Sequence, residues 1–362
     1  MVSRHKILSI VGARPNFIKV APLDKAILSS GLFEHIIVHT GQHYEANLSD
    51  ELFKELDITA PKYNLGIGSG RQAWQLGQMI SAIDQVLEME APAMVIVYGD
   101  TNSTAAGAIA AGKNNIPLAH VEAGLREFNK RIPEEVNKLL ITASADLYFC
   151  PTPTGVINLR KMGITENVHL VGDVGIDLIF NNLEKIGACE KEILGQFGLL
   201  SKQYFFVTCH RVANTGDPEK LWQILSSLEE LPYKTILPMH PRTKRAIKGY
   251  GMPIPSATMQ PLGFIETQAL IKNARMVITD SGGIIKEAYF HKTPGIIVDT
   301  QTEWVETVEE GWNIVVGPNK GRILEAAIAT NVFGLPHSSC LGDGTASNKI
   351  VAIFKDYLYA RK

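Results

Sequence analysis

The 362-residue sequence predicts an α/β protein made of two doubly wound, Rossmann-like domains. Three observations predict it. Short apolar runs alternate with amphipathic helical stretches along the whole chain, the pattern of parallel sheets covered by helices on both faces. The pattern stops and restarts after Val171-Gly172. The length suits two domains at roughly 150 residues each.

In the first half, strands are expected at Lys6–Val11, His35–Val38, Met94–Tyr98, Leu118–His120 and Leu147–Phe149. Helices are expected at Phe17–Ser29, Gln72–Glu90 and Thr104–Lys113. In the second half, the apolar runs Tyr204–Thr208, Thr235–Leu237, Met276–Thr279 and Gly295–Val298 read as strands. Helices near Lys220–Leu228, Thr267–Asn273 and Ile284–Phe290 lie between them. These readings place a first domain at 1–172 and a second at 173–345, joined near 172–176. A helical period at Ala346–Leu358 predicts a C-terminal helix, about 346–362, packing back on the first domain.

Composition narrows the function. Hydrophobic residues make up 45% and charged residues 20%, so a large core is available and a disordered or collagen-like chain is excluded. Lys+Arg number 35 against Asp+Glu 37, a net charge of −2, so no global nucleic-acid footprint exists. Any anion must be met by a local cluster of cations. Four cysteines, Cys150, Cys189, Cys209 and Cys340, form no Cys-x-x-Cys pair and predict a reducing, cytoplasmic setting. The apolar run Ile7–Val11 is too short for a signal or membrane segment.

In open parallel sheets, ligands bind outside the carboxyl ends of the strands, so polar residues just after apolar runs are the candidates. Gly12-Ala13-Arg14-Pro15-Asn16-Phe17-Ile18-Lys19 follows the first strand. It is neither a dinucleotide fingerprint nor a P-loop. Arg14 and Lys19 would face the mouth of the sheet, where an anion could bind, or be surface cations at a helix start. Asp100 ends another strand and is followed by Thr101-Asn102-Ser103-Thr104, which also reads as a plain helix cap. Glu122 ends a third, where a carboxylate is costly unless paired. Pro133-Glu134-Glu135 opens a helix, and its acids could simply complement the helix dipole. Asp100, Glu122 and Glu134 together would form an acid/base set, with some pKa values raised by burial and mutual repulsion.

In the second domain, Cys209 and His210 close a strand. Adjacent strand residues point to opposite faces, which argues against a thiol–imidazole pair. Ser281-Gly282-Gly283 opens a helix after the strand Met276–Thr279, offering free N–H groups and close approach to a phosphate. Glu287, one turn on, could accept from ribose hydroxyls. Metal-ligand spacings are absent, so no metal or cofactor is expected and a diphosphate would be neutralised by protein cations.

Taken together the segments resemble the non-hydrolysing UDP-N-acetylglucosamine 2-epimerase family. The resemblance is carried by Gly12-Ala13-Arg14-Pro15 with Lys19, Thr40-Gly41-Gln42-His43, Gly99-Asp100-Thr101, His120–Arg126, Pro133-Glu134-Glu135, Thr208 with His210-Arg211, Asp280–Gly283 and Gly342–Ser347. It implies a glycosyltransferase-B-like fold with the nucleotide sugar in the interdomain cleft. It implies anti elimination of UDP to a glycal and re-addition at C2, interconverting UDP-GlcNAc and UDP-ManNAc. It implies Arg14, Lys19, Asp100, Glu122, Glu134 and His210 as the catalytic set, Arg14 and His210 also facing the UDP. Ser281, Gly282, Gly283 and Glu287 would hold the diphosphate and ribose. A homodimer serving polysaccharide biosynthesis is implied as well.

Four departures from the family's commonest pattern stand out. Asn16 replaces a Glu, and Tyr44 replaces an Arg of members regulated by a second UDP-GlcNAc. The segment between Arg126 and Pro133 is short and basic, and Trp304 replaces an Arg near the diphosphate. The basic loop and the Glu303–Glu306 and Gly311–Asn313 segments resemble the branch acting on UDP-2,3-diacetamido-2,3-dideoxy-glucuronate. There Lys130 or Arg131 could pair with a sugar carboxylate, or both are solvated charges. UDP-GlcNAc is the expected substrate and the uronate the alternative. A retaining glycosyltransferase or a nucleotide-sugar sensor would need no set of three carboxylates in the first domain.

Overall fold

The computed structural model describes residues 4–42, 52–329 and 334–359. The chain forms two compact units, one of residues 1–181 with 341–362 and one of 182–340.

The first unit holds a seven-stranded sheet in the order β3-β2-β1-β4-β5-β6-β7. Its strands are β1 His5–Val11, β2 Phe33–His39, β3 Tyr63–Asn64, β4 Met94–Tyr98, β5 Leu118–Val121, β6 Leu147–Cys150 and β7 Val168–Leu170. The second unit repeats the plan with six strands, β10-β9-β8-β11-β12-β13. These are β8 Tyr204–Thr208, β9 Lys234–Pro238, β10 Thr258–Met259, β11 Met276–Thr279, β12 Gly295–Ile297 and β13 Asn313–Val315. Every pairing is parallel. In each sheet the order reverses beside the first strand, between β1 and β4 and between β8 and β11. That reversal opens the crevice in which ligands of doubly wound folds sit.

The central strands are apolar because both faces are covered. Met94–Tyr98 is buried at every residue. Helices start earlier than their apolar periodicity shows: Arg14 rather than Phe17, Asn102 rather than Thr104, Pro218 rather than Lys220, and Gly282 rather than Ile284. Their first turns are built of Pro, Gly, Ser and Asn, which cap or open a helix but carry no hydrophobic stripe.

The division falls after Asn181 rather than at 172, because the chain near 172 is held inside the first unit. Asp173 N donates to Leu341 O at 2.8 Å. Asp177, on helix Val174–Asn181, accepts from Ala346 N at 3.2 Å and Ser347 N at 2.6 Å. Gly172 and Gly342 pass so closely that a Cβ on Gly172 would lie 3.0 Å from Gly342 Cα. The C-terminal helix Ala346–Tyr359 belongs to this unit, with Tyr359 Oη donating to Leu32 O at 3.1 Å.

Buried histidines give stability a defined pH dependence. Burial pushes His120 down to about 4 and His291 down to about 3. The unfolded chain takes up those protons near 6.5, whereas the folded chain does not until lower pH. Stability is therefore expected to fall as pH drops from about 6.5 towards 4. Glu90 acts lower: hydrogen bonds from Lys6, Lys62 and Tyr63 hold its carboxyl at about 2. Its share is lost between about 4.5 and 2. Thermal midpoints measured across pH 7 to 4 check the first window, and a flat profile there contradicts it.

Candidate active site

The first cluster lies at the carboxyl ends of β1, β4 and β5. Glu122, just past β5, adopts a left-handed backbone with φ +68°. A side chain in that region costs of order 1–3 kcal/mol, a strain found most often at functional sites. Its Oε2 pairs with Lys19 Nζ. Lys19, on helix Arg14–Ser30, is 7% exposed. Neither charge is well solvated, so each offsets the desolvation of the other. Gly99 makes room for the pair. Its φ is +64°, and a Cβ there would lie 2.7 Å from Lys19 Nζ and 3.0 Å from Glu122 Oε2.

Asp100, next along, is half-buried, and its Oδ2 lies 3.3 Å from Lys138 Nζ. Lys138 also approaches Glu127 Oε2, at 3.8 Å. Asp100 and Glu122 are thus each matched to a lysine. Mutual carboxylate repulsion, expected from the sequence, is not the organising force, because each acid meets a cation contributed by a helix.

His120 is buried inside β5, and its Nε2 contacts Gly99 O at 2.8 Å. With the ring neutral, Nε2 donates and steadies the Gly99 turn. Asn16 ties the start of helix Arg14–Ser30 to the end of β4. Its Nδ2 donates to Tyr98 O at 2.8 Å and its Oδ1 accepts from Gly12 N and Ala13 N at 3.2 and 3.1 Å. A carboxylate could not donate to that carbonyl.

Arg14 is exposed at the first position of its helix. Glu134 is exposed in the first turn of helix Pro133–Ser144, whereas Glu135 is fully buried. Glu135 Oε1 accepts from Arg126 Nε at 2.7 Å and its Oε2 from Glu127 N at 2.9 Å. Burial pushes the Glu135 carboxyl up, but Arg126 and the Glu127 N–H outweigh it and hold it below the usual range. Glu135 therefore anchors the loop, leaving Glu134 as the available acid. Lys130 and Arg131 stand exposed on that loop. His43 and Tyr44 lie outside the described residues; Gln42 accepts from Ser103 N at 3.0 Å and Ser103 Oγ at 2.7 Å.

The second cluster lies at the carboxyl ends of β8, β9 and β11. Asp280, 1% exposed, organises it. It accepts from His210 N at 2.9 and 3.0 Å, Arg211 N at 2.9 Å and Asn214 Nδ2 at 3.0 Å. The loop bearing His210 is thereby tied to β11. The His210 ring stacks on His240, centroids 5.0 Å apart, and Arg242 donates to His210 O at 2.8 Å. Cys209 is buried, and burial with the nearby Asp280 raises its thiol well above the ordinary value, so it is no nucleophile. Ser281 caps helix Gly282–Phe290 through Ile284 N. Glu287 is held by Gln268, whose Nε2 donates to it at 2.7 Å, and Gln268 is held in turn by His291 at 3.0 Å.

Sequence reasoning missed Lys138, Arg126 with Glu135, Asp280 as an anchor, and the His240–Arg242 pair. Only Asp280 had a local signal, an acid directly after a buried strand at the switch point. One further cluster has a hydrolase-like order: Asp24 Oδ1 lies 2.6 Å from His35 Nδ1, and His35 Nε2 lies 2.8 Å from Ser9 Oγ. Ser9 is fully buried and bonded to Tyr98 Oη at 2.7 Å, so this chain fastens β1, β2 and β4 together. Among the described residues, no group of three His, Cys, Asp or Glu could hold a metal ion, and no helix is long and apolar enough to cross a membrane.

Two doubly wound parallel sheets, with paired acids at the mouth of one and a glycine-opened helix at the mouth of the other, place the chain in the glycosyltransferase-B-like class of nucleotide-sugar enzymes. The UDP-N-acetylglucosamine 2-epimerase family model matches residues 25–355, and the chain belongs to that family. It is 44% identical over 357 residues to a UDP-N-acetylglucosamine 2-epimerase homolog of Methanococcus maripaludis, covering 97% of this chain and 99% of that protein. It is 40% identical to the UDP-2,3-diacetamido-2,3-dideoxy-D-glucuronate 2-epimerase of Pseudomonas aeruginosa, covering 95% and 98%. The crystal structure of the Methanocaldococcus jannaschii UDP-GlcNAc 2-epimerase in complex with UDP-GlcNAc and UDP matches with a TM-score of 0.90 at 36% identity, covering 97% of this chain and 99% of that one.

Proposed function

We propose that the chain interconverts UDP-GlcNAc and UDP-ManNAc by eliminating UDP and adding it back. A carboxylate takes the C2 proton, the C1–O bond breaks, UDP leaves, and a C1=C2 glycal remains. Re-addition delivers a proton to the other face of C2 and returns the UDP oxygen to C1. The C2–H is not acidic, so its base must be oriented and shielded from water. The buried Lys19–Glu122 pair, seated under Gly99 on a strained backbone, carries this reading. Asp100 and Glu134 supply the further acid/base capacity that a two-face reaction demands. Charge developing on UDP is met by Arg14, His210 and the N-terminus of helix Gly282–Phe290, with Ser281, Gly282, Gly283 and Glu287 holding diphosphate and ribose. The enzyme works as a cytoplasmic homodimer feeding polysaccharide synthesis, a reading supported by the family resemblance. Turnover of UDP-GlcNAc to UDP-ManNAc with no acceptor present tests the activity, and release of free sugar or no change overturns it.

The uronate is the second reading. It is supported by the 40% identity to the Pseudomonas enzyme and by Lys130 and Arg131, exposed on a loop anchored by Arg126 and Glu135. If a sugar carboxylate is bound there, replacing both residues by Ala lowers kcat/KM for the uronate about 10- to 150-fold and spares UDP-GlcNAc. Robust wild-type turnover of UDP-GlcNAc with none of the uronate decides for the simpler sugar.

A further inference from the structure

The loop after β12 carries Trp304, which is 1% exposed. Its indole Nε1 is a buried donor with no hydrogen-bond partner among the described residues. Buried N–H groups are almost always paired, so an unpaired one signals a missing acceptor. The atom is aimed at the opening of helix Gly282–Phe290. A Cβ on Gly282 would lie 3.2 Å from Trp304 Nε1 and 3.8 Å from an Arg211 guanidinium nitrogen. Two side-chain donors and the outward N–H groups of a first helical turn therefore face one small space.

The rest of the surroundings sharpen this arrangement. Lys286, 4% exposed, places Nζ 4.9 Å from the Trp304 ring centroid. A cation over the ring face withdraws electron density and strengthens donation from the N–H edge. Glu303 Oε1 lies 3.6 Å from the same Gly282 point. It is an acceptor, suited to a hydroxyl, whereas Trp304 and Arg211 are suited to an anionic oxygen.

We propose that Trp304 is a ligand-binding residue, its indole N–H donating to a diphosphate oxygen of the nucleotide held at Gly282. This rests on the reading that the second unit binds UDP. The diphosphate is the only part of the nucleotide that brings anionic oxygens, so uridine alone leaves the donor unpaired.

The test uses the full chain and its Trp304→Phe variant, which keeps an aromatic ring at the position but removes the indole N–H. In protein labelled with nitrogen-15 tryptophan, the indole resonance missing from the variant identifies Trp304. Saturating UDP is expected to shift that resonance and uridine to leave it in place. By calorimetry the variant should bind UDP about 10- to 100-fold more weakly than wild type. A resonance unmoved at saturating UDP, or equal UDP affinities, overturns the role of Trp304 alone. A wild-type chain that binds no UDP overturns the reading of the second unit with it. If the variant does not fold, the wild-type titration still decides, each of the four tryptophans being assigned by single replacement.

Discussion

Glu122→Gln is expected to lower kcat for epimerisation by about 10²- to 10⁴-fold, the usual share of a positioned acid or base. The amide keeps the size of the carboxylate and can still accept from Lys19, but it cannot take a proton. UDP affinity should change little, because the nucleotide-binding residues proposed here sit mainly in the second unit. Some stability should be lost as well, since the change leaves the buried Lys19 charge without its counter-ion. Glu134→Gln is the informative comparison. Glu134 is exposed, so its replacement should leave the thermal midpoint unchanged and any lost activity reports chemistry. A Glu122→Gln enzyme within threefold of wild-type kcat removes Glu122 from proton transfer.

Asp280→Ala is expected to destabilise the second unit strongly. It strands the His210 and Arg211 backbone N–H groups and leaves the Asn214 amide only Val298 O, where all three now meet a carboxylate that is 1% exposed. A buried group left unsatisfied costs about 1–3 kcal/mol, so a total of roughly 3 kcal/mol or more is expected. For a unit of this size that corresponds to roughly 6–12 °C in the midpoint of its transition. UDP affinity should fall too, because the loop bearing His210 is no longer tied to β11. Calorimetry with and without UDP measures both. A midpoint within 1 °C of wild type and unchanged affinity would show that the loop is held by other means.

These two expectations show what a sequence can carry. Glu122 was legible because a carboxylate at the end of a doubly covered strand has to be paired. Its partner was legible only as one of several cations. Lys138 was not legible, because its approach to Asp100 depends on how helix Pro133–Ser144 packs beside β4 and β5. The role of Asp280 depends in the same way on β8 lying next to β11, which unites residues about seventy apart. The strands behave alike. β1, β4, β8 and β11 are continuous apolar runs that announce themselves. The edge strands β3, β7, β10 and β13 span two or three residues, too few to show any periodicity, and form because a neighbour offers free backbone groups.

Incubating the chain with UDP-GlcNAc alone in D₂O and following the sugar by proton NMR tests the proposed C2 chemistry most directly. A base that removes the C2 proton exchanges it with solvent before returning one. The expected result is deuterium at C2 with both epimers present. UDP-GlcNAc that keeps both its C2 proton and its configuration in the presence of folded enzyme is the result that contradicts it.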